Sequence, residues 1–226
     1  MKQYFLLINF IAGICVCEAQ TLISIGGKVV DAATHQPISG ATVFINKSIY
    51  SALTDSAGDF IIPATMINYG DIVVYNKDYT LLSYRFDFRK SSYRLRFEIL
   101  PSSINDSLKQ TDSLINQHLT DWSQLFLESF FGNSSGAQQC VLNNPLSLRF
   151  FLDNSLKKLT VKSVEPLQVF NESLGYSIQY FLEEMLIDDY GYTHNSSEYY
   201  FYKPLSSKNK NVLKKWDDRR MDVYQN

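Results

Sequence analysis

The sequence predicts a mainly β protein with some helix. A seven-stranded antiparallel β-sandwich comes first, followed by an α+β region with a linking helix and a C-terminal helix. Three observations predict it. Apolar and polar residues alternate from Leu22 to about Leu100, the period of a half-buried strand. Turn-forming clusters interrupt the alternation at short intervals, giving about seven short strands in roughly 80 residues. After Pro101 the apolar spacing widens to three and four residues, that of a helix face.

The alternation is clearest where Tyr93, Leu95, Phe97 and Ile99 interleave with Arg94, Arg96 and Glu98, and where Tyr84, Phe86 and Phe88 interleave with Arg85 and Asp87. Lys28 to Val30, Val43 with Ile45, and Ile72 to Tyr75 mark further strands. His35-Gln36-Pro37, Asp55-Ser56-Ala57-Gly58-Asp59 and Asn68-Tyr69-Gly70-Asp71 supply turns. Pro37 fixes φ just before a strand, and Gly40 and Gly58 admit turn conformations closed to other residues. Asp55 is placed to accept hydrogen bonds from its own turn. Phe60 then restarts the core face.

Three blocks stand in order: Gly27-Lys28-Val29-Val30-Asp31, then Gln36-Pro37-Ile38-Ser39-Gly40-Ala41-Thr42-Val43, then Thr54-Asp55-Ser56-Ala57-Gly58-Asp59-Phe60. In residues and spacing they resemble the carboxypeptidase regulatory-like domain, a transthyretin-like β-sandwich common in exported proteins of Bacteroidota. The resemblance covers residues 20–100. It implies that Gly27, Asp31, Pro37, Gly40, Ala41, Thr54, Asp55, Gly58 and Phe60 are a fold signature and not a catalytic site. His35 departs from the family, which usually has Gly in that turn. His tolerates positive φ better than most residues, so the turn is expected to survive. Metallocarboxypeptidases that carry this module bind zinc through a separate domain. Here Ile38, Asp121 and Ser197 stand three residues after the three histidines, His35, His118 and His194, so the zinc-binding spacing is missing. The resemblance therefore brings a module without its activity, and neither cofactor nor metal is expected.

The first residues read as a secretory signal. Lys2 provides the positive start, an apolar run extends from Tyr4 to Val16 with only Asn9 interrupting, and Cys17-Glu18-Ala19 places small residues before a cut between Ala19 and Gln20. The run is shorter than the ~20 residues a membrane span needs. Ile14 before Cys15 and Val16 before Cys17 argue against lipidation. The expected organisation is a signal peptide at 1–19, the sandwich at 20–100, a linker and helix at 101–131, and an α+β companion region at 132–226. The mature chain is expected in the periplasm or at the cell surface, without a transmembrane span. Signal removal takes Cys15 and Cys17 and leaves Cys140, so no intramolecular disulfide is expected. A net charge of -2 gives no reason to expect nucleic acid as a partner. An envelope protein or a glycan is the expected kind of partner.

In the second half, Asn105 or Asp106 is placed to cap a helix whose stripe is Leu108, Ile115, Leu119, Trp122 and Phe126, running to about Phe131. Gly132 to Gly136 break it. Strands are expected at Ser147–Asp153, Leu159–Val164, Leu167–Phe170, Tyr176 to about Met185, and Tyr199–Tyr202, with a last helix over Lys208–Tyr224. Trp122, Phe126, Phe131-Gly132, Cys140, Asn144-Pro145, Pro166-Leu167, Asn171 and Leu174-Gly175-Tyr176 resemble a companion region that follows the same domain in some exported proteins. Trp216, Arg219, Arg220 and Tyr224 fit its W-x-x-x-R-x-x-x-Y pattern. Relatives continue beyond this point, so the resemblance implies a shortened C-terminus.

Four constellations are candidates for chemistry. Glu183-Glu184 and Asp188-Asp189 are carboxylate doublets, but neighbours on a strand face opposite ways, so a solvated surface is the simpler reading. Lys208, Lys210, Lys214, Lys215, Arg219 and Arg220 form a basic helical face. Cys140 reads as a small core residue, since a nucleophile needs a nearby His. Tyr190, Tyr192, Tyr199, Tyr200 and Tyr202, with His194 among them, form the candidate binding strip. Aromatic rings stack on sugars or peptides, while strand alternation sends every second ring into a core. The expected function is a non-catalytic exported envelope protein acting as a binding or structural module. The alternatives are an accessory subunit of a larger surface transport or peptidase assembly, or an enzyme with its site in the second half. A deep cavity joining Cys140, His194 or two carboxylates would favour the enzyme, and an aromatic strip would favour binding.

Overall fold

The computed structural model describes residues 23–65, 67, 69–87, 94–102, 119–132, 134, 136–153, 158–188, 193–195 and 198–225. Ala19, Gln20, Asn105, Asp106, Tyr190 and Tyr192 lie outside them.

The first half contains strands β1 (Ile23–Asp31), β2 (Thr42–Ile45), β3 (Ser51–Leu53), β4 (Asp59–Thr65), β5 (Tyr69–Tyr75), β6 (Leu82–Asp87) and β7 (Arg94–Ile99). They form two sheets, ordered β4-β1-β7 and β3-β2-β5-β6. This is the expected seven-stranded sandwich with one pair parallel: β7 lies beside β1 in the register Val29↔Phe97, because five intervening strands return the chain to its starting end. The residues of period-two pattern meet between the sheets. Ile25, Val29, Val43, Ile45, Ile62, Ile72, Val74 and Ile99 are buried there with Phe60 and Phe97. Burying each such side chain contributes roughly 1.5–3 kcal/mol.

The motif residues fasten the turns of this sandwich. Thr54 Oγ1 donates to the Ile38 carbonyl at 2.7 Å and accepts from the Ala41 N–H at 2.8 Å. Asp55 Oδ1 accepts from the Ala57 and Asp59 N–H groups at 2.8 and 2.9 Å, as expected of a turn aspartate. Gly58 has φ +75, and a Cβ there would stand 2.5 Å from the Val29 carbonyl oxygen, so both conformation and space demand glycine. His35 adopts φ 59, the left-handed state its place in the turn predicts. Asp31 Oδ1 accepts from the Ala33 and Thr34 N–H groups at 2.8 and 2.7 Å, and the Tyr79 hydroxyl donates to Oδ2 at 3.0 Å. The Thr34 N–H above all holds the Asp31 carboxyl below its usual range; burial opposes it, and the Ala33 and Tyr79 donors reinforce it.

The second half contains α1 (Leu119–Phe131), β8 (Cys140–Leu142), β9 (Leu148–Asp153), β10 (Lys158–Ser163), β11 (Leu167–Asn171), β12 (Tyr176–Leu182), β13 (Met185–Asp188), β14 (Thr193–Asn195), β15 (Glu198–Pro204) and α2 (Lys210–Gln225). Its sheets are ordered β15-β12-β11-β8 and β14-β13-β10-β9. The expected single strand from Tyr176 to Met185 is two strands. The chain leaves one sheet at Glu183-Glu184 and enters the other, a change of partner that an unbroken apolar run does not reveal. Phe126 of α1 is buried with Phe150, Val161, Leu167, Tyr180, Met185 and Ile187, so helix and both sheets share a core. No helix among the described residues is long and apolar enough to cross a membrane.

A third cluster joins the halves. Phe44 of β2 and Val73 of β5 meet Phe181 of β12 and Phe201 of β15, all buried. The Phe44 ring lies 5.0 Å from Phe181 and 4.7 Å from Phe201, centroid to centroid. Sheet β3-β2-β5-β6 is thus covered on both faces, which explains why Phe44 and Val73 are apolar although their neighbours Val43, Ile45 and Val74 already fill the sandwich core. Backbone pairing reinforces the seam: Lys47 N–H donates to the Tyr200 carbonyl and Tyr202 N–H to the Ser48 carbonyl, each at 2.8 Å. Asn46 Oδ1 accepts from the Tyr200 N–H at 3.0 Å.

Candidate functional site

Strand β15 sorts its rings by parity. Tyr199 and Phe201 turn toward the seam, where Tyr199 packs against the Phe44–Phe181–Phe201 cluster. Tyr199 therefore does not join the expected binding strip. Tyr200 and Tyr202 face the other way. There they meet rings from β12, whose register sets Tyr180 opposite Tyr200 and Ile178 opposite Tyr202. Tyr180 and Tyr200 stack at 5.5 Å with planes 10° apart, Tyr200 and Tyr202 meet edge to face at 5.6 Å, and Tyr176 lies 5.5 Å from Tyr202. Phe130, near the end of α1, closes the row against Tyr180 at 4.8 Å and 87°.

Two adjoining concavities follow this row. The first, about 430 Å³, has β11, β12 and β15 as its floor and the end of α1 as a wall. The second, about 420 Å³, is bounded by Lys47, Tyr50, Tyr176 and Arg220. Tyr202 and Leu174 line both, so the two adjoin and together make the candidate groove. Lys47 Nζ stands 5.7 Å from the Tyr200 ring centroid, and the Arg220 guanidinium 4.1 Å from that of Tyr176, both within cation–π range.

Helix α2 fixes one end of the groove. Trp216 Nε1 donates to the Glu172 carbonyl at 2.8 Å, Arg219 Nη1 to Ser173 at 3.1 Å, and Arg220 Nε and Nη2 to Leu174 and Gly175 at 2.7 and 2.9 Å. Gly175 has φ +66 beneath the indole, where a Cβ would stand 2.3 Å from Trp216. Trp216 and both arginines of the C-terminal pattern thus clamp the turn between β11 and β12. The residues read as a basic face are, at Arg219 and Arg220, structural donors.

Cys140 lies in the first concavity. Asn171 Nδ2 donates to its Sγ at 3.3 Å, and Sγ reaches the Gly136 carbonyl at 3.6 Å. Burial pushes the thiol up, with the Asn171 hydrogen bond pulling the other way. Among the described residues lining that concavity there is no His, Asp or Glu. The backbone of His194 belongs to β14, in the other sheet of this half. A smaller cavity of about 290 Å³ at the seam has Glu165 and Glu183 on its rim. Both are exposed, and Glu165 Oε1 accepts from the Ser147 hydroxyl at 2.7 Å. Glu184, the other member of that doublet, pairs with Lys162 at 2.9 Å. No group of three or more His, Cys, Asp or Glu among the described residues is placed to hold a metal ion.

Of the expected strip, Tyr200 and Tyr202 line the concavities, and Tyr176, Tyr180, Phe130 and Lys47 line them as well. Tyr176 and Tyr180 were findable, being two even-numbered rings on one strand face. Lys47 was not, since only the seam carries the turn after β2 to β15, and the Asn46–Tyr200 contact spans 154 residues.

Fold and groove together define a mainly β protein whose second half presents a tyrosine-lined concavity. No protein-family profile matches the chain, and no curated protein matches it. Solved structures similar to it include an interface mutant of a type II cohesin–X-dockerin complex from Acetivibrio cellulolyticus, with 24% identity, 34% of this chain and 56% of that chain covered, and a TM-score of 0.29. A candidate carbohydrate-binding protein from Bacteroides uniformis has 9% identity, 83% and 75% coverage and a TM-score of 0.30. A candidate membrane-associated protein of unknown function from Bacteroides fragilis has 11% identity, 71% and 64% coverage and a TM-score of 0.28. The match spans little more than half of the cohesin–X-dockerin chain. At TM-scores of 0.30 and below, these likenesses define neither a family nor a function.

Proposed function

We propose that the protein is an exported, non-catalytic module of the cell envelope. It is built on a carboxypeptidase regulatory-like, transthyretin-type sandwich and binds its ligand in the tyrosine-lined groove. The observation that carries this reading is the continuous row Phe130–Tyr180–Tyr200–Tyr202–Tyr176, with neighbouring centroids 4.8–5.6 Å apart along the two adjoining concavities. Ligand sites are concave and mostly apolar, with a few polar groups that fix orientation. Tyrosine supplies both a ring and a hydroxyl at little entropic cost. Burial pushes the Cys140 thiol up, against the pull of the Asn171 hydrogen bond, which disfavours the thiolate a nucleophile needs. Export rests on the Lys2 start, the apolar run and the Ala19-Gln20 junction.

Fractionation of the native host, with N-terminal sequencing of the mature protein, tests export; a start at Gln20 in an envelope fraction is expected. Screening glycan and peptide panels tests the groove. Binding should be lost in the Tyr200→Ala/Tyr202→Ala variant. The reading fails if that variant binds as well as the parent, or if the purified protein turns over a substrate and Cys140→Ser stops it.

A further inference from the structure

We propose that the lysine face of α2 and of the turn before it is a docking surface for an anionic phospholipid bilayer. This goes beyond the groove and does not depend on it.

The structure divides the basic residues of this region into two sets. Arg219 and Arg220 turn inward with Trp216 and hold the carbonyls of Glu172, Ser173, Leu174 and Gly175. That clamp fixes the roll of α2. At 3.6 residues per turn, Lys210 and Lys214 then lie more than about 100° round the helix from Trp216, and Lys215 leaves by the opposite flank. Lys203, Lys208, Lys210, Lys214 and Lys215 are all exposed. Lys203 holds its ammonium 5.3 Å from the Phe201 ring centroid. No ion pair joins Lys208, Lys210, Lys214 or Lys215 to a carboxylate among the described residues. From Lys203 to Lys215 there are five lysines and no Asp or Glu, in a chain whose net charge is -2. The carboxylates of α2 come later: Asp217 pairs with Arg220 at 3.2 Å, and Asp218 and Asp222 follow.

Shape decides the kind of partner. None of the three cavities at the groove and the seam is lined by these lysines, so they do not enclose a small anion. They stand out from a helix and its approach, where each ammonium meets a separate charge of an extended anionic surface. Leu213 is exposed between Lys210 and Lys214 in the chain. An apolar side chain among lysines enters the boundary between headgroups and acyl chains, while the lysine stems follow it and leave their ammonium groups at the phosphates. A soluble polyanion offers charge without that boundary.

The test is co-sedimentation of the purified full chain with vesicles of phosphatidylcholine, either alone or mixed with phosphatidylglycerol at about two to one. The anionic vesicles should bind at least about tenfold more protein at low salt, with the advantage shrinking as ionic strength rises. Any contribution of the apolar run Tyr4 to Val16 is common to both vesicle types and to every variant. The combined variant Lys208→Gln/Lys210→Gln/Lys214→Gln/Lys215→Gln should lose the advantage, and arginine at the same four positions should keep it. Lys77→Gln/Lys158→Gln, which removes two exposed lysines elsewhere, should also keep it. Leu213→Ser should weaken vesicle binding about threefold and leave binding to dextran sulfate unchanged. The proposal is overturned if anionic vesicles bind no better than neutral ones, or if the four-glutamine variant keeps the advantage. It is equally overturned if the arginine or the Lys77→Gln/Lys158→Gln variant loses the advantage, if dextran sulfate binds while vesicles do not, or if Leu213→Ser fails to separate the two. Tyr200 and Tyr202 are untouched in all these variants, so ligand binding in the groove stands or falls on its own test.

Discussion

The two halves of the molecule bury apolar residues to different ends. The first sandwich closes around Ile and Val side chains, with Phe60 and Phe97 as its fully enclosed rings, and its turns are fastened by Thr54, Asp55 and Gly58. The second half also buries Leu, Val, Met and Ile side chains, adds Phe126, Phe150 and Tyr180 to them, and leaves one face of its β15-β12-β11-β8 sheet only partly covered by α1. Aliphatic side chains of alternating strands fill a narrow slot completely. Along the face that α1 leaves partly open, the row Phe130–Tyr180–Tyr200–Tyr202–Tyr176 lines the candidate groove. The first half is thus closed on itself, while the candidate groove lies mostly in the second half and takes Lys47, Ser48, Ile49 and Tyr50 from the segment between β2 and β3. The halves are joined by a ring cluster whose partners come equally from each.

The comparison would break first at that joint. Phe201→Ala should cost about 3–5 kcal/mol, because it empties a fully buried site that both halves share. Urea unfolding followed by far-UV circular dichroism measures it. Loss confined to the second half, with the sandwich transition unmoved, would mean that the joint stabilises only one side. Next comes a test inside the first half. Gly58→Ala should cost roughly 1–3 kcal/mol, since alanine at positive φ is strained and its Cβ meets the Val29 carbonyl. A thermal melt unchanged from the parent would show that the turn relaxes freely.

A smaller effect sharpens the first half's electrostatics. Asp31 has its carboxyl lowered in the folded state, so its contribution is present above the unfolded value of 3.8 and is lost as pH falls through the folded value. Asp31→Asn should therefore destabilise at pH 7, and the gap between variant and parent should close below about pH 4. Denaturation midpoints for both proteins at pH 7 and pH 3 check this. A gap that stays constant across that range would remove the charge from the account.

What was legible in the sequence follows the same division. Strands β1, β2, β5, β6 and β7 announce themselves through local apolar patterning, and the turns are written by local residues such as Asp55 and Gly58. Even the left-handed turn at His35 was foreseeable from the residue type. The second half depends on distant partners. The run from Tyr176 to Met185 reads as one strand because nothing local marks the change of sheet at Glu183-Glu184. Parity along β15 shows that Tyr199 and Tyr200 face opposite ways. It does not show which way is open, since the covering Phe44 and Val73 stand in the other half. The role of Arg220 as a clamp on Leu174 and Gly175 has the same origin, for a basic helix face looks solvated until the turn beneath it is known.

The smallest expected effect distinguishes the groove of the second half from a reaction site. Because burial holds the Cys140 thiol above its ordinary range, its reaction with a maleimide should be slower than that of a free thiol at pH 8, and its rate should rise with pH later than the free thiol's does. Asn171 opposes the burial effect by donating to Sγ, and it also holds the Leu174 N–H through Oδ1 at 2.9 Å, so the same side chain links the thiol to the turn that α2 clamps. A thiol used as a nucleophile would show the reverse, a fast phase at neutral pH that collapses when Asn171 is replaced. If Cys140 is packing in the wall of a binding groove, Cys140→Ser should leave ligand affinity within about twofold, since a hydroxyl preserves the contact with Asn171. A loss much larger than that would move Cys140 from the wall of the groove into direct contact with the ligand.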